Sequence, residues 1–305
     1  MAAQPYGFSI RGVKHVLTSW FVRGLAWMVR RLPGRWMPRL ATLLSRSIMS
    51  LLPRRRRIAE SNIRLVFGDT LGDARVGEIA DRCVRNIALG LLELLRLPVT
   101  SRDELRQMLP VEGLEHLKAG LERGRGALLI TGHIGTWELA GCRVAAEGYA
   151  MHAVARDAAH TATAQVINSA RASHGMKVLG RDATREMLRV LRDNGVLAIL
   201  PDQRVLEGGI VAEFMGHPAM TVTGPATLAM RTGCAVIPGF GGYRDDGSRW
   251  LELRPPLELV DTGDREADVA TNTQMINDAL GDFILAHPEQ WLWLHDRWRM
   301  PGEPR

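Results

Sequence analysis

The chain has 305 residues, 46% of them hydrophobic and 24% charged, with a mean hydropathy of −0.06. That balance excludes a disordered polymer and fits a folded protein large enough for one α/β domain plus an appendage. Cys83, Cys142 and Cys234 have neither metal-ligand nor disulfide spacing, so buried thiols in a reducing compartment are expected.

Charge is concentrated at the start. Between Met1 and Arg64 the only acid is Glu60, against Lys14 and twelve arginines, which gives about +12 and leaves about −6 for the rest of a chain whose net charge is +6. Apolar runs share this segment, "VLTSWFVRGLAWMV" and "WMPRLATLLSRSIMSLLP". Arg23 interrupts the first, Arg39 and Arg46 the second, and neither reaches the roughly 20 predominantly apolar residues of a membrane span. A short n-region, a clean h-region and an A-x-A site are missing, so a cleavable signal peptide fits poorly. The expectation is an amphipathic helical region over residues 1–60. It would either lie on an anionic membrane surface or pack its apolar face on the body. The "RRRR" at 54–57 is a basic patch without a recognisable nucleic-acid-binding module.

From Asn62 to about Leu121 the apolar spacing is helical. Strands are then predicted at "GALLIT" (126–131), "MHAVAR" (151–156), "MKVLG" (176–180), "VLAILP" (196–201) and "CAVIPGF" (234–240), with an extended stretch at "RWLELRPPLEL" (249–259). Helices are predicted between them at 136–148, 161–175, 182–195 and 223–233, and a long one at 268–288. This alternation predicts an α/β fold, a layered and mostly parallel sheet flanked by helices.

"TGHIGTWELAG" (131–141) follows the first buried strand and feeds a helix, the place where α/β sheets gather ligands. Gly132 and Gly135 are expected to let a substrate approach the backbone, and Thr136 to cap the helix. His133 and Glu138 stand in H-x-x-x-x-E spacing, so Glu138 is expected to hold one imidazole nitrogen while the other accepts a proton from a hydroxyl. The competing expectation is that the pair merely satisfies a turn and a helix start. No G-x-S-x-G elbow is present, so the substrate's own hydroxyl would be the nucleophile and an ester the product.

With the blocks "RRRRIAESNIRLVFGD", "GHIGTWE", "LPDQR", "AEFMGHPAMTVTGPATLAMRTGCAVIPGF" and "HPEQWLWLHDRW" in this order, the chain resembles the bacterial lipid A biosynthesis acyltransferases, within the lysophospholipid acyltransferase superfamily. The resemblance runs from about Arg54 to Arg299. It departs at Thr136, where Asn is frequent, and at "FMG", where a doubled Phe is frequent. It implies that residues 61–305 form an acyltransferase domain with His133 as general base and Glu138 as its partner. The donor would be an acyl thioester, on acyl carrier protein or on coenzyme A. The acceptor would be a lipid A precursor or related glycolipid, at the cytoplasmic face of the inner membrane, with no cofactor, metal or nucleic acid. Arg156 and Arg171 would meet phosphates of either substrate, or else form salt bridges. Asp202, Gln203 and Arg204 would sit at the reactive edge, or cap a turn. Phe214, Gly216, Thr223 and Gly224 would shape a pocket, or a turn before a helix. Trp291, Trp293 and Trp298 are expected as packing. A lysophospholipid acceptor, a thioesterase, and a non-catalytic membrane-binding protein are the other readings.

Overall fold

The computed structural model describes residues 10–155, 162–300 and 302. Helices α1 (Ile10–Arg31), α2 (Met37–Leu51), α3 (Pro53–Phe67), α4 (Asp73–Arg96) and α5 (Arg102–Met108) precede strand β1 (Val111–Glu112) and α6 (Leu114–Glu122). Then come β2 (Ala127–Ile130), α7 (Trp137–Ala146), β3 (Met151–Ala155), α8 (Ala162–Ala172), β4 (Lys177–Gly180), α9 (Thr184–Arg192) and β5 (Val196–Ile199). A hairpin of β6 (Gly209–Phe214) and β7 (His217–Val222) leads to α10 (Gly224–Thr232), β8 (Ala235–Tyr243), β9 (Arg249–Leu253) and α11 (Arg265–Ala286). The predicted α/β class and most element positions agree with this order.

The main sheet has seven strands in the order β1-β9-β8-β2-β5-β3-β4, parallel throughout except where β9 meets β8. Its central strands are buried on both faces, which is why "ALLI" reads as an unbroken apolar run. Alternate residues serve opposite layers. Leu128, Leu197 and Val236 pack with Met187, Leu228 and Phe283 from α9, α10 and α11, whereas Leu129, Ala198 and Ile237 pack with Leu139, Val144 and Leu117 from α7 and α6.

Two stretches differ from the sequence expectation. The extended run predicted to 259 stops as a strand at Leu253, because Pro255 and Pro256 have no N–H to extend a ladder. The β6–β7 hairpin was not predicted. Its two-residue turn is Met215–Gly216, with φ of 52° and 79°, the left-handed pair that matches the twist of the flanking strands.

The N-terminal helices divide their apolar residues between two environments. Val29, Met37 and Ala41 pack with Ala88, Leu89 and Leu92 of α4. Trp20 (73% exposed), Phe21 (71%), Trp27, Leu43 and Leu51 (78%) face outward. Among the described residues no helix is long and apolar enough to cross a membrane. The boundary expected at residues 60 and 61 falls inside α3. All three cysteines are buried free thiols, and burial pushes Cys83 up to about 12.

One buried ion pair fastens α4 to the sheet. The Glu93 carboxylate accepts from Arg249 Nε at 2.9 Å, from Arg249 Nη2, and from the Tyr243 hydroxyl at 2.8 Å. Removing one member of such a buried pair strands the other charge, at a cost of about 3 kcal/mol. Glu93→Gln is therefore expected to lower the unfolding free energy by about 3 kcal/mol, read as a shift of the urea midpoint at unchanged slope.

Candidate active site

β2 and β5 are adjacent and parallel, with Ile130 opposite Ile199. Three residues beyond each partner lie His133 and Asp202, so the strand register delivers an imidazole and a carboxylate side by side at the carboxyl edge. The His133 backbone N–H donates to Asp202 Oδ2 at 2.8 Å, and ring Nδ1 lies 2.9 Å from Oδ1. Trp291 completes the set, its indole N–H donating to Oδ2 at 2.9 Å. Asp202 is only 1% exposed. Burial opposes its ionisation, yet the imidazole and the N–H donors hold its pKa down at about 2. An ionised carboxylate only accepts, so the Nδ1 proton points at Asp202 and the free lone pair belongs to Nε2.

That Nε2 faces a cavity of about 810 Å³, where the Gln203 amide nitrogen stands 3.3 Å away. Burial would lower the pKa of His133. The Asp202 charge and hydrogen bond, joined by the Glu138 charge, outweigh it, so the pKa is raised overall despite opposition from Arg181.

The structure corrects the role expected of Glu138. Both its oxygens are engaged by Arg171, with Nε to Oε2 at 2.8 Å and Nη2 to Oε1 at 2.5 Å. The carboxylate that orients His133 is Asp202, while Glu138 lines the same cavity and acts on the ring through its charge. Arg171 is correspondingly a salt-bridge partner rather than a free phosphate ligand. Burial would lower its pKa, and the Glu138 hydrogen bond and charge raise it instead.

Of the other predicted residues, Gln203, Arg204 and Thr223 line the cavity together with Gly224. Arg204 donates its backbone N–H to His295 Nε2 at 3.0 Å and Nη1 to the Arg299 carbonyl at 2.9 Å. Burial pushes His295 down to about 4, which leaves it neutral and able to accept that bond. Gly216 lies outside the lining, in the hairpin turn. Phe214 is core, its ring tilted against those of Trp291 and Trp298, with the Arg297 guanidinium 4.7 Å over it. Arg156 falls outside the described residues.

The glycines serve the protein's own packing rather than a substrate's approach. A Cβ on Gly132 would come within 3.2 Å of the Asp202 carboxylate. One on Gly135, whose φ is 47°, would lie 2.3 Å from the Gly241 carbonyl oxygen. Thr136 holds the N-cap position of α7, but its hydroxyl makes no capping bond. The loop is closed from the C-terminal side: Gly135 N–H donates to Gln290 O at 2.7 Å, and Leu292 N–H to His133 O at 3.1 Å.

Trp291 and His295 are the site residues that sequence reasoning assigned to packing or passed over. Their signal was the dense "HPEQWLWLHDRW" block, where a buried indole N–H needs an acceptor. Trp291, Trp293 and Trp298 are buried as expected, but Trp291 also positions Asp202.

Asp202→Asn removes the charge that raises His133. In an NMR titration His133 is expected to titrate above the ordinary imidazole value of about 6.5 in the native chain and at a lower pH in the variant. Equal midpoints in the two proteins would contradict this electrostatic account.

Residues 8–300 match the family described as "Bacterial lipid A biosynthesis acyltransferase". A phosphatidylinositol mannoside acyltransferase of Mycobacterium tuberculosis is 31% identical over 214 residues, 68% of this chain and 66% of that relative, so the match spans just under two thirds of its length. A lipid A biosynthesis palmitoleoyltransferase of Escherichia coli is 26% identical over 92% of this chain and 90% of the relative. A lipid A biosynthesis lauroyltransferase of the same organism is 24% identical, with 93% and 92% covered. With nearly its whole length matched, the chain belongs to the bacterial lipid A biosynthesis acyltransferase family.

Proposed function

We propose that the protein is a membrane-associated O-acyltransferase that moves a fatty acyl chain from a thioester to a hydroxyl of a glycolipid. The observation that carries this reading is the His133 imidazole: Nδ1 is fixed by a buried carboxylate, and Nε2 is turned into a mixed polar and apolar cavity. Cavities of this size accommodate most of a drug-sized ligand.

In the proposed step the acceptor hydroxyl takes the place of the Gln203 amide beside Nε2. Its proton passes to Nε2 as its oxygen bonds to the thioester carbonyl carbon. The C–S bond then breaks, and the imidazolium returns the proton to the departing thiolate. The products are an ester and a carrier thiol. Asp202 keeps the ring in the required tautomer and stabilises the imidazolium. Glu138 adds negative potential at the ring while pairing with Arg171.

The preferred acceptor is a lipid A precursor, in keeping with the names of the relatives that align over about nine tenths of the chain, and the donor proposed with it is acyl carrier protein. The mycobacterial relative, more similar over a shorter stretch, favours a second reading with a phosphoglycolipid acceptor, for which the proposed donor is a coenzyme A thioester. The outward Trp20, Phe21, Trp27 and Leu51, among arginines such as Arg23 and Arg31, support seating on the anionic cytoplasmic face of the inner membrane.

Mass spectrometry of membrane lipids with and without the gene is expected to show one acyl chain missing from one glycolipid class. His133→Ala is expected to reduce ester formation by about 10²-fold or more. Unchanged turnover would overturn His133 as the general base, no turnover in wild type with function unaffected by His133→Ala would favour a non-catalytic protein, and free fatty acid without acceptor a thioesterase. Because the neutral imidazole is the active form and its pKa is raised, kcat/KM should climb with pH through a limb above about 6.5.

A further inference from the structure

The cavity reaches both faces of the sheet, and the two sides differ in character. On the α7 side it is lined by the apolar Leu129, Val144, Met151, Met176, Leu251 and Leu253, with the Glu138–Arg171 ion pair beside them. On the other side α10 presents Thr227 and Arg231 in line with Thr223 at its N-cap, a four-residue spacing that keeps them on one stripe. Opposite stands Thr184 in the first turn of α9, and Arg181 lies one residue beyond β4.

The charge of the lining is lopsided. Among the described residues of the lining, four arginines (Arg171, Arg181, Arg204, Arg231) face a single carboxylate, Glu138, in a body whose net charge is negative. Arg171 consumes Glu138, and Arg204 is tied to the Arg299 carbonyl. The side chains of Arg181 and Arg231, both exposed, show no hydrogen-bond or ion-pair partner among the described residues. Two uncommitted guanidinium groups on a concave surface concentrate positive potential there. Their planar forks match a phosphate, which has enough oxygens to accept from both.

We propose that Arg181 and Arg231 bind a phosphate ester of a substrate in the α9–α10 limb of the cavity. The apolar limb on the α7 side is left for a hydrocarbon chain. The identity of that substrate rests on the acyl-transfer reading, under which the phosphate belongs either to the donor's phosphopantetheine arm or to the acceptor headgroup. The sequence pointed to Arg156 and Arg171 for this work, but Arg171 is already paired.

The test is calorimetric titration of the full chain, which needs no turnover. The probes are 4′-phosphopantetheine against pantetheine, and a phosphorylated glucosamine disaccharide against its dephosphorylated form. Wild type, Arg181→Gln, Arg231→Gln and the double variant are compared, with Arg192→Gln as a control outside the lining. Each arginine removed is expected to weaken a phosphate-bearing probe by about tenfold, with phosphate-free probes and the control unchanged. Loss for phosphopantetheine assigns the clamp to the donor, and loss for the disaccharide assigns it to the acceptor. The proposal is overturned if wild type does not favour phosphate-bearing probes, if the double variant binds them like wild type, or if it loses phosphate-free probes equally. Failure of the acyl-transfer reading would register separately, as no ester formed by wild type.

Discussion

A carboxylate that is 1% exposed stays ionised at the heart of this protein because three donors converge on it. An isolated buried carboxylate would take up a proton rather than remain charged. Here one donor is the backbone of the histidine loop, one is the ring of that histidine, and one is an indole from the far end of the chain. The same bonds that make Asp202 tolerable inside the fold also select the tautomer of His133. Structural satisfaction and chemical readiness are one arrangement.

That arrangement draws on distant elements. The loop carrying His133 is bracketed by backbone bonds from residues 290–292, and Trp291 packs edge-on against Trp293 and Trp298. The C-terminal segment is in turn held from the N-terminal side. Asn62 of α3 donates to the carbonyls of Trp293 and His295, at 2.9 and 2.8 Å, and Asn86 of α4 donates to that of Glu289. Helices α3 and α4, basic or amphipathic in sequence, therefore buttress the wall of the cavity. The same N-terminal region that turns tryptophans outward contributes inward to the geometry of the site.

The cavity joins these features to the family's chemistry. Its α7 side is apolar apart from the Glu138–Arg171 pair, Thr184 of α9 and Arg231 of α10 line the other side, and His133 lines the cavity they share. A molecule with a hydrocarbon tail and a charged head would have its reactive centre placed at the junction by its two ends. Binding energy from groups remote from the reacting atoms is what positions such a centre.

Local patterns determined a great deal. The apolar run of "ALLI", the helical spacing of "VGEIADRCVRNIALGLLELLRL" and the alternation of short strands with helices determined the α/β layering, because they record which faces must leave water. His133, set between glycines just past a buried strand, was legible for the same reason. The hairpin at Met215–Gly216 was not read, since its turn has a methionine where Asn or Asp would have signalled it. Which acid holds His133 was decided only by tertiary structure. Glu138 is five residues away along the chain, and Asp202 is 69. Sequence spacing favours the near one, but pairing of β2 with β5 brings the far one into hydrogen-bond range, while Arg171 claims both oxygens of Glu138. Strand register is a property of the assembled sheet, so no local pattern encodes it.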